Sequence, residues 1–333
     1  MDVKLPEGLD EFLSRAGWGE ATIEPLAGDA SFRRYFRLRR GEKTAMLMDA
    51  PPPHENPVPF LRAAEWLDAN GMRAPRILAA DEARGLVLLE DFGETRMRDY
   101  LDAWPADERQ VYAGAVDALV ELHKLAPGPF LDYNLVTYQR EAKLLLDWYC
   151  PARNLYVDAT SWSAAWQEVL TPIIARQRDG VTVLRDYHAE NIMLLDRLDS
   201  QGLLDFQDAL IGHRAYDLVS LLQDARRDVS PELEAEMFDR YVRETGVDAE
   251  DFLADYARLG AQRNAKIVGI FVRLWRRDGK PRYLDLIPRV WALMERDLAH
   301  PALAPVARWF DANVPAELRA ANGGSFADLP AAP

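Results

Sequence analysis

The sequence predicts an α+β fold in which a small β-rich lobe precedes a larger helical lobe. Before about residue 92, short runs of bulky apolar residues alternate with turn residues, and after it the apolar residues recur at helical spacing. The chain has 333 residues, which is long enough for two lobes with a sizeable core. We predict an N-terminal lobe at residues 1–91 and a C-terminal lobe at residues 92–333.

The N-terminal lobe is predicted to contain strands and one helix. The predicted strands span residues 34–39, 44–48, 76–80 and 85–89, and the helix spans residues 60–70. The first two strands flank the turn Arg40-Gly41-Glu42, as in a β-hairpin. Prolines precede the helix and Gly71 follows it, which is typical of a helix start and a helix end.

The C-terminal lobe is predicted to be mainly helical. Apolar residues at helical spacing indicate helices at residues 108–124, 162–174, 232–244 and 254–274. The tail from Ala321 is rich in Gly, Ala and Pro, so we expect it to be poorly ordered.

Three polar residues in this lobe have the order that metal-dependent phosphoryl transfer requires. In that chemistry an Asp takes the proton of the acceptor hydroxyl, while an Asn and a second Asp hold Mg²⁺. Asp186, Asn191 and Asp205 fit these roles in turn. The apolar residues between Asn191 and Asp205 flank a polar turn, so a predicted hairpin brings Asp205 back beside Asn191.

Each of these residues taken singly is also an ordinary turn former, because Asp and Asn commonly form Asx turns and caps. Their order, with apolar strands between them, favours a phosphotransferase that uses ATP and Mg²⁺. Two oxygen ligands leave coordination positions for water and phosphate, which suits Mg²⁺. We therefore do not expect a closed metal site made only of protein ligands.

The segments Asp186–Asn191 (DYHAEN) and Asp205–Asp208 (DFQD) resemble the aminoglycoside phosphotransferase and choline kinase superfamily. The resemblance implies a protein-kinase-like bilobal fold. It assigns the catalytic base to Asp186 and the metal-ligand roles to Asn191 and Asp205. It also implies that His188 and Asp217 brace the loop that carries the base.

The nucleotide is expected in the cleft between the lobes, since clefts at domain boundaries commonly bind ligands. The adenine would meet the backbone at Glu90, Asp91 and Phe92. Residues 26–31 precede the first hairpin, where a loop covering the phosphates would lie, and the candidate binding residues there are Gly28, Asp29 and Ser31. An ordinary turn explains this segment nearly as well.

The lysine that pairs with phosphates in ordinary kinases is missing. The strand that should carry it reads Thr44-Ala45-Met46-Leu47-Met48, so Glu65 on the next helix lacks its usual partner. The basic cluster Arg33, Arg34 and Arg37 offers substitutes, because guanidinium groups bind phosphate oxygens bidentately. Either another cation, for example Arg34 or Arg37, covers the phosphates, or nucleotide binding is weak. A catalytically inactive pseudokinase therefore remains a second hypothesis.

A narrower resemblance covers most of the chain. The segments Gly28–Arg37 (GDASFRRYFR), Leu47–Pro52 (LMDAPP) and Gly269–Leu274 (GIFVRL) resemble a bacterial branch of anomeric sugar kinases. The resemblance implies that the chain phosphorylates N-acetylmuramate and N-acetylglucosamine at C1 during peptidoglycan recycling. An aminoglycoside or choline type of kinase is the alternative.

A basic cluster near residue 280 has two interpretations. It comprises Arg273, Arg276, Arg277, Lys280, Arg282 and Arg289. One interpretation is an acceptor site for the lactyl carboxylate of N-acetylmuramate. The other is an exposed helix end, where basic residues are favoured by the helix dipole.

Composition limits the other possibilities. The formal net charge of −14 argues against a nucleic-acid partner, which needs a basic face. No apolar run reaches membrane-spanning length and the N-terminus lacks a signal pattern, so we expect a cytoplasmic protein with no membrane partner. The expected partner is a small amino sugar, and the oligomeric state is left open.

Overall fold

The computed structural model describes residues 5–26 and 33–326 of the chain. Within these residues the strands are β1 (Thr22–Pro25), β2 (Arg34–Arg40), β3 (Lys43–Asp49), β4 (Ile77–Asp81), β5 (Leu86–Glu90), β6 (Val181–Val183), β7 (Ile192–Leu194), β8 (Gln201–Leu203) and β9 (Leu210–Gly212). The α-helices are α1 (Leu9–Arg15), α2 (Val58–Ala69), α3 (Met97–Ala103), α4 (Glu108–Leu122), α5 (Leu135–Ala142), α6 (Cys150–Ala152), α7 (Ala159–Arg176), α8 (Ala215–Leu222), α9 (Pro231–Thr245), α10 (Ala249–Asp278), α11 (Ile287–Leu298), α12 (Ala304–Asn313) and α13 (Ala316–Ala320). Leu145–Tyr149 is π-helical, and short 3₁₀ segments occur at Pro105–Asp107, Gln177–Asp179, Ala189–Asn191, Pro281–Leu286 and Pro301–Leu303.

The chain divides into two compact units. The first comprises Met1–Gly114 and Glu190–Ala209, and the second comprises Ala115–Ala189 and Leu210–Pro333. The units differ from the predicted ranges 1–91 and 92–333, because the first unit continues to Gly114 and the chain returns to it at Glu190. The division of nucleotide and acceptor functions between those ranges stays a prediction.

The first unit is built on an antiparallel sheet of five strands in the order β1-β2-β3-β5-β4. The predicted hairpin is confirmed, since β2 and β3 pair from Arg34↔Asp49 to Arg40↔Lys43. Phe36 of β2 and Leu47 of β3 lie on one sheet face and pack with Phe12 of α1 in a hydrophobic core. The sheet continues through β4 and β5, which pair with each other and lie at positions where strands were predicted.

A second hairpin, β7–β8, is attached to the first unit by backbone hydrogen bonds. Ile192 pairs with Leu203 within the hairpin, which confirms the strands predicted between Asn191 and Asp205. The Leu203 N–H donates to the carbonyl of Arg73 (2.8 Å), and the Leu194 N–H donates to that of Thr95 (2.8 Å). These bonds fix the hairpin at both of its strands.

The second unit is mainly helical, as predicted, and α10 is buried along most of its length. Asp248 caps the start of α10 by accepting the Asp251 N–H (2.9 Å), and Gly279 ends it with a φ of 65°. A short antiparallel pair, β6–β9, lies in the same unit. The predicted helices correspond to α4, α7, α9 and α10. Among the described residues, no helix combines the length and apolarity that crossing a membrane requires.

The tail was expected to be poorly ordered from Ala321, but the structure packs it as far as residue 326. The Tyr149 hydroxyl donates to the carbonyl of Gly323 (2.9 Å). The Arg153 guanidinium lies 3.7 Å from the ring centroid of Phe326. These contacts come from residues far away in the sequence, so the composition of the tail alone did not predict them.

His123 is expected to make the fold sensitive to acid. Its ring is buried, and Nδ1 lies 2.6 Å from the Tyr241 hydroxyl. Burial lowers its pKa to about 3, and the nearby Arg214 and His213 act in the same direction. The unfolded chain protonates this ring near pH 6.5, so the unfolded state binds more protons below that pH. As the pH falls from about 6.5 to 3, His123 therefore lowers the free energy of unfolding by about 1.4 kcal/mol for each pH unit.

Urea unfolding of wild type and His123→Gln at several pH values measures this contribution. The variant loses a hydrogen bond and is less stable at about pH 8, but its stability falls less steeply below about pH 6.5. The difference in slope should approach about 1.4 kcal/mol per pH unit. Parallel pH profiles of the two proteins would contradict a buried neutral ring.

Candidate active site

Asp186 lies in a loop of the second unit, directly after β6. The backbone N–H groups of Leu184 and Arg185 donate to the two carboxylate oxygens of Asp217, at 2.6 and 2.8 Å. Arg185 has a φ of 73°, so the chain turns sharply just before Asp186. Asp217 belongs to α8 and is fully buried. Helix α8 thus fixes the backbone that carries Asp186.

The residues after Asp186 are fixed from other elements of the same unit. The Tyr187 hydroxyl donates to the carbonyl of Ala115 (2.9 Å), and the Ala189 N–H donates to Asp224 (3.3 Å). His188 is buried, and its Nε2 lies 3.4 Å from a guanidinium nitrogen of Arg226. Burial lowers the pKa of His188, so the ring is neutral at neutral pH. These contacts fit a bracing function for His188.

A buried carboxylate balances two cations near the loop. Glu141 of α5 accepts a hydrogen bond from Arg185 through one oxygen, and its other oxygen lies 3.1 Å from Lys266 Nζ. Tyr133 also donates to Glu141. A buried charge is costly unless it is paired and hydrogen-bonded, and Glu141 supplies that pairing for both cations.

The same cations keep Asp186 ionised. Burial by itself raises the pKa of Asp186, but the charges of Lys266, Arg263 and Arg185 outweigh it, so the pKa lies below its ordinary value. An ionised carboxylate is the form that accepts a proton. The site therefore keeps Asp186 in the form that a general base requires.

The sequence interpretation missed the cations on α10. Gln262, Arg263, Asn264 and Lys266 are all buried. A run of polar residues that interrupts apolar helical spacing is the signal for such a site, because buried polar residues need partners. Lys266 pairs with Glu141, and the other three donate to Tyr138, Gln223 or Asp297. All of these partners are distant in the sequence and could not be assigned from it.

Asn191 and Asp205 are brought together in the first unit. Asn191 Nδ2 lies 3.4 Å from Asp205 Oδ2, and the Leu204 N–H donates to the Asn191 carbonyl (2.9 Å). Asp205 has a φ of 58°, a left-handed conformation that is uncommon outside glycine and occurs at functional sites. The hairpin thus places an amide and a carboxylate side by side, as the sequence predicted.

The residues beside Asp205 fit a hard divalent cation. Gln207 Nε2 donates to Asp205 Oδ1 (2.8 Å), and the buried Gln207 Oε1 has no hydrogen-bond partner among residues 5–26 and 33–326. Amide and carboxylate oxygens are the ligands that Mg²⁺ and Ca²⁺ prefer. In the described part of the chain, no three His, Cys, Asp or Glu residues form a metal-binding group. A cation here would depend on few protein ligands and retain water or phosphate.

The segment after β5 is held by arginines and by the second hairpin. Glu90 pairs with Arg73 and Arg76, at 3.0 and 3.1 Å. The Phe92 ring packs on Gly202 of β8 so closely that a Cβ at residue 202 would lie 2.6 Å from it. The segment predicted to meet adenine therefore contacts the hairpin that follows Asn191.

Asp91 is held by Arg37, whose Nε lies 2.9 Å from its carboxylate. Arg37 also pairs with Glu94 and donates to the carbonyl of Gly93 (2.8 Å). Arg37 thus contributes to the position of the segment after β5. The proposed adenine contacts of Glu90, Asp91 and Phe92 stay predictions.

The remaining predicted nucleotide residues are placed only in part. Arg34 donates twice to Asp49 Oδ2, at 2.8 and 2.5 Å, and its assignment to the nucleotide stays a prediction. Gly28, Asp29 and Ser31 lie outside the described residues.

Replacing Asp217 should destabilise the loop that carries Asp186. Asp217→Asn puts an amide NH₂ where a carboxylate oxygen accepts a backbone N–H, which leaves buried donors unsatisfied. We expect the free energy of unfolding to fall by about 2–3 kcal/mol. Burial raises the pKa of Asp217 to about 7, so urea unfolding should be measured near pH 8, where the wild-type side chain is ionised.

The control for this change is Asp239→Asn on α9, an exposed position. Its stability should stay within about 0.5 kcal/mol of wild type. A similarly small change in Asp217→Asn would show that Asp217 does not hold the loop.

Comparison with known proteins points to one family. Residues 22–259 match the family model described as "Phosphotransferase enzyme family". An N-acetylmuramate/N-acetylglucosamine kinase of Caulobacter vibrioides is 40% identical, over 92% of this chain and 96% of that protein. A protein of the same name from Pseudomonas aeruginosa is 38% identical, over 90% of this chain and 92% of its own length.

Solved structures show the same fold at low sequence identity. A choline/ethanolamine kinase family protein from Mesorhizobium loti has a TM-score of 0.64 and 18% identity, over 90% of this chain and 97% of that chain. An ADP-bound aminoglycoside phosphotransferase has a TM-score of 0.59 and 14% identity, over 87% and 97% of the two chains. These likenesses confirm the predicted protein-kinase-like fold. With the family match over most of its length, the chain belongs to the phosphotransferase enzyme family.

Proposed function

We propose that this protein is an ATP- and Mg²⁺-dependent kinase that phosphorylates the C1 hydroxyl of N-acetylmuramate and N-acetylglucosamine. The observation that carries the proposal is the similarity, at 34–40% identity over most of the chain, to four proteins named as N-acetylmuramate/N-acetylglucosamine kinases. The reaction would serve the recycling of peptidoglycan sugars and take place in the cytoplasm, where ATP is available.

Asp186 is the proposed general base. It would accept the proton of the C1 hydroxyl as the oxygen bonds to the terminal phosphorus and the bond to ADP breaks. A C1 hydroxyl belongs to a hemiacetal and is more acidic than an ordinary alcohol, so a weak base suffices. The low pKa of Asp186 is compatible with that demand, and most acceleration would come from alignment.

Asn191 and Asp205 are the proposed ligands of Mg²⁺. The 3.4 Å approach of their side chains and the left-handed backbone of Asp205 support this assignment. When bound, Mg²⁺ would offset the negative charge of the phosphates. The adenine is proposed to meet the backbone at 90–92, and Gly28, Asp29 and Ser31 are proposed to cover the phosphates.

Arg273 is the proposed contact for the lactyl carboxylate of N-acetylmuramate. It lies on α10 seven positions after Lys266, which puts both residues on one helix face about 10 Å apart. Its buried Nε has no hydrogen-bond partner among the described residues. By contrast, Arg277 pairs with Asp278 and Arg289 with Asp228. Arg273 is thus a better candidate than Arg277 or Arg289.

Arg273→Gln should separate the two acceptors. The lactyl carboxylate is present in N-acetylmuramate and absent from N-acetylglucosamine, so the KM for the former should rise about tenfold or more. The KM for N-acetylglucosamine should change less than about twofold. Initial rates at saturating ATP measure both constants. An equal rise for both sugars would place Arg273 outside carboxylate recognition.

The central test is acceptor-dependent ADP release with Mg²⁺ and ATP. The acceptors are N-acetylmuramate, N-acetylglucosamine, kanamycin and choline. Turnover is expected on the N-acetyl sugars, and Asp186→Asn should reduce it by about a hundredfold to ten-thousandfold because the base is lost. Asp179→Asn, at an exposed position just before β6, is the control and should keep wild-type rates.

Other results would point to other functions. Turnover only on kanamycin or choline would overturn the sugar-kinase proposal in favour of a kinase for a cationic acceptor. ATP binding without turnover on any acceptor would favour a non-catalytic regulator.

A further inference from the structure

The face of the N-terminal sheet that carries Met48 has no lysine for the nucleotide phosphates. Met48 of β3 is buried and lies directly opposite Tyr35 of β2. Side chains alternate between the faces of a strand, so residues 35, 37 and 39 of β2 share the face of Met48. Arg34 pairs with Asp49 on the other face, which also carries Phe36 and Leu47.

Arg33 lies directly before β2, where it interacts with the Tyr35 side chain and forms a buried ion pair. Its Nε lies 3.2 Å from Glu55 Oε2, and only 14% and 17% of the two side chains are exposed. Glu55 comes just before α2, and Phe60 in the first turn of α2 stacks on Phe206 with ring centroids 5.1 Å apart. Phe206 is the neighbour of Asp205. The start of α2 is therefore packed beside the proposed metal ligand.

The pKa of Arg33 reflects the charge of Asp205. Burial by itself lowers the pKa of Arg33, but Tyr35, Glu55 and Asp205 outweigh burial, so the pKa lies above its ordinary value. Asp205 also acts to raise the pKa of Tyr35, whose burial does so most strongly. Arg33 is thus a permanent cation whose charge interacts with that of Asp205, the proposed ligand of Mg²⁺.

Like Arg33, the other two arginines of the cluster pair with carboxylates, but those carboxylates lie in other parts of the unit. Arg34 pairs with the buried Asp49 on the opposite sheet face. Arg37 pairs with Asp91 and Glu94 and positions the segment after β5. Glu65 of α2 is exposed, so it is not a buried partner for a cation as Glu55 is.

We propose that Arg33 is the cation that binds the β- and γ-phosphates of ATP, with Glu55 as its positioning residue, in place of a lysine on β3. The inference rests on the proposed ATP-dependent function. A guanidinium suits this position because it carries five N–H groups, so one side chain can contact both Glu55 and phosphate oxygens. The ion pair Arg33–Glu55 then connects β2, α2 and the region of Asp205.

Nucleotide binding without any sugar tests the proposal directly. Titration calorimetry with Mg²⁺ and ATP should show Arg33→Gln weakening affinity by about tenfold to a hundredfold, because charged hydrogen bonds are lost. Affinity for AMP, which lacks the β- and γ-phosphates, should change by less than about twofold. Arg39→Gln is the matched control, since Arg39 lies on the same strand face and is half exposed. It should leave both affinities at the wild-type values.

Two outcomes would overturn the proposal. One is an unchanged ATP affinity in Arg33→Gln, and the other is an equal loss for ATP and AMP. Because no acceptor is present, a negative result in the sugar panel leaves this test intact, and a failure here leaves the acceptor assignment intact.

A lysine restored to β3 provides an independent test. Adding Met48→Lys to Arg33→Gln puts a cation on the same sheet face and should recover about tenfold in ATP affinity. Thermal unfolding shows whether this buried substitution folds. If it does not, Arg33→Lys replaces it and should bind ATP more tightly than Arg33→Gln. No recovery in a folded variant would contradict the substitution of one cation for another.

Glu55→Gln tests the positioning function. It keeps the size of the side chain but weakens its hold on Arg33, so the affinity for Mg²⁺ and ATP should fall about threefold to tenfold, while the affinity for AMP changes by less than about twofold. Glu55→Asp should restore part of the ATP affinity. The control is Glu65→Gln on the exposed side of α2, which should behave as wild type. Equal ATP affinities in Glu55→Gln and Glu65→Gln would remove Glu55 from the proposal.

Discussion

The buried carboxylate of Asp217 is the interaction on which the catalytic loop depends. It accepts the N–H groups of Leu184 and Arg185, which lie just before Asp186. These N–H groups belong to a sharp turn with Arg185 in a left-handed conformation, so strand pairing is not there to satisfy them. A carboxylate from α8 satisfies both at once. The backbone at Asp186 is therefore set by a helix distant in the sequence.

Charge balance around the loop follows from that geometry. Once Asp186 is held in a half-buried position, desolvation opposes its ionised form, and nearby cations must compensate. Lys266 and Arg185 do so, but they are themselves buried and need a counter-ion, which Glu141 provides. The overall negative charge of the protein therefore says little about the site, since cations are concentrated where one carboxylate must stay ionised.

Local patterns predicted much of the fold and part of the site. Turn residues and apolar alternation predicted the hairpins β2–β3 and β7–β8, and the second hairpin predicted that Asn191 and Asp205 meet. Helical spacing predicted the long helices to within a few residues at each end. The pairs Glu141–Lys266 and Arg33–Glu55 escaped prediction, because each joins residues far apart along the chain whose approach depends on packing. The same cause explains the packed tail near Phe326.

The position of Arg33 beside Tyr35 explains how the first unit would replace the missing lysine of β3. A lysine at residue 48 of β3 would extend from the sheet face that also carries Tyr35, and Arg33, directly before β2, interacts with the Tyr35 side chain. Arg34, one residue later, pairs with Asp49 on the opposite face. The anion that pairs with Arg33 also differs from the usual one. It is Glu55, before α2, and not the exposed Glu65 on α2. A site can therefore lose its usual lysine and keep its electrostatics, provided that cation and anion are displaced together.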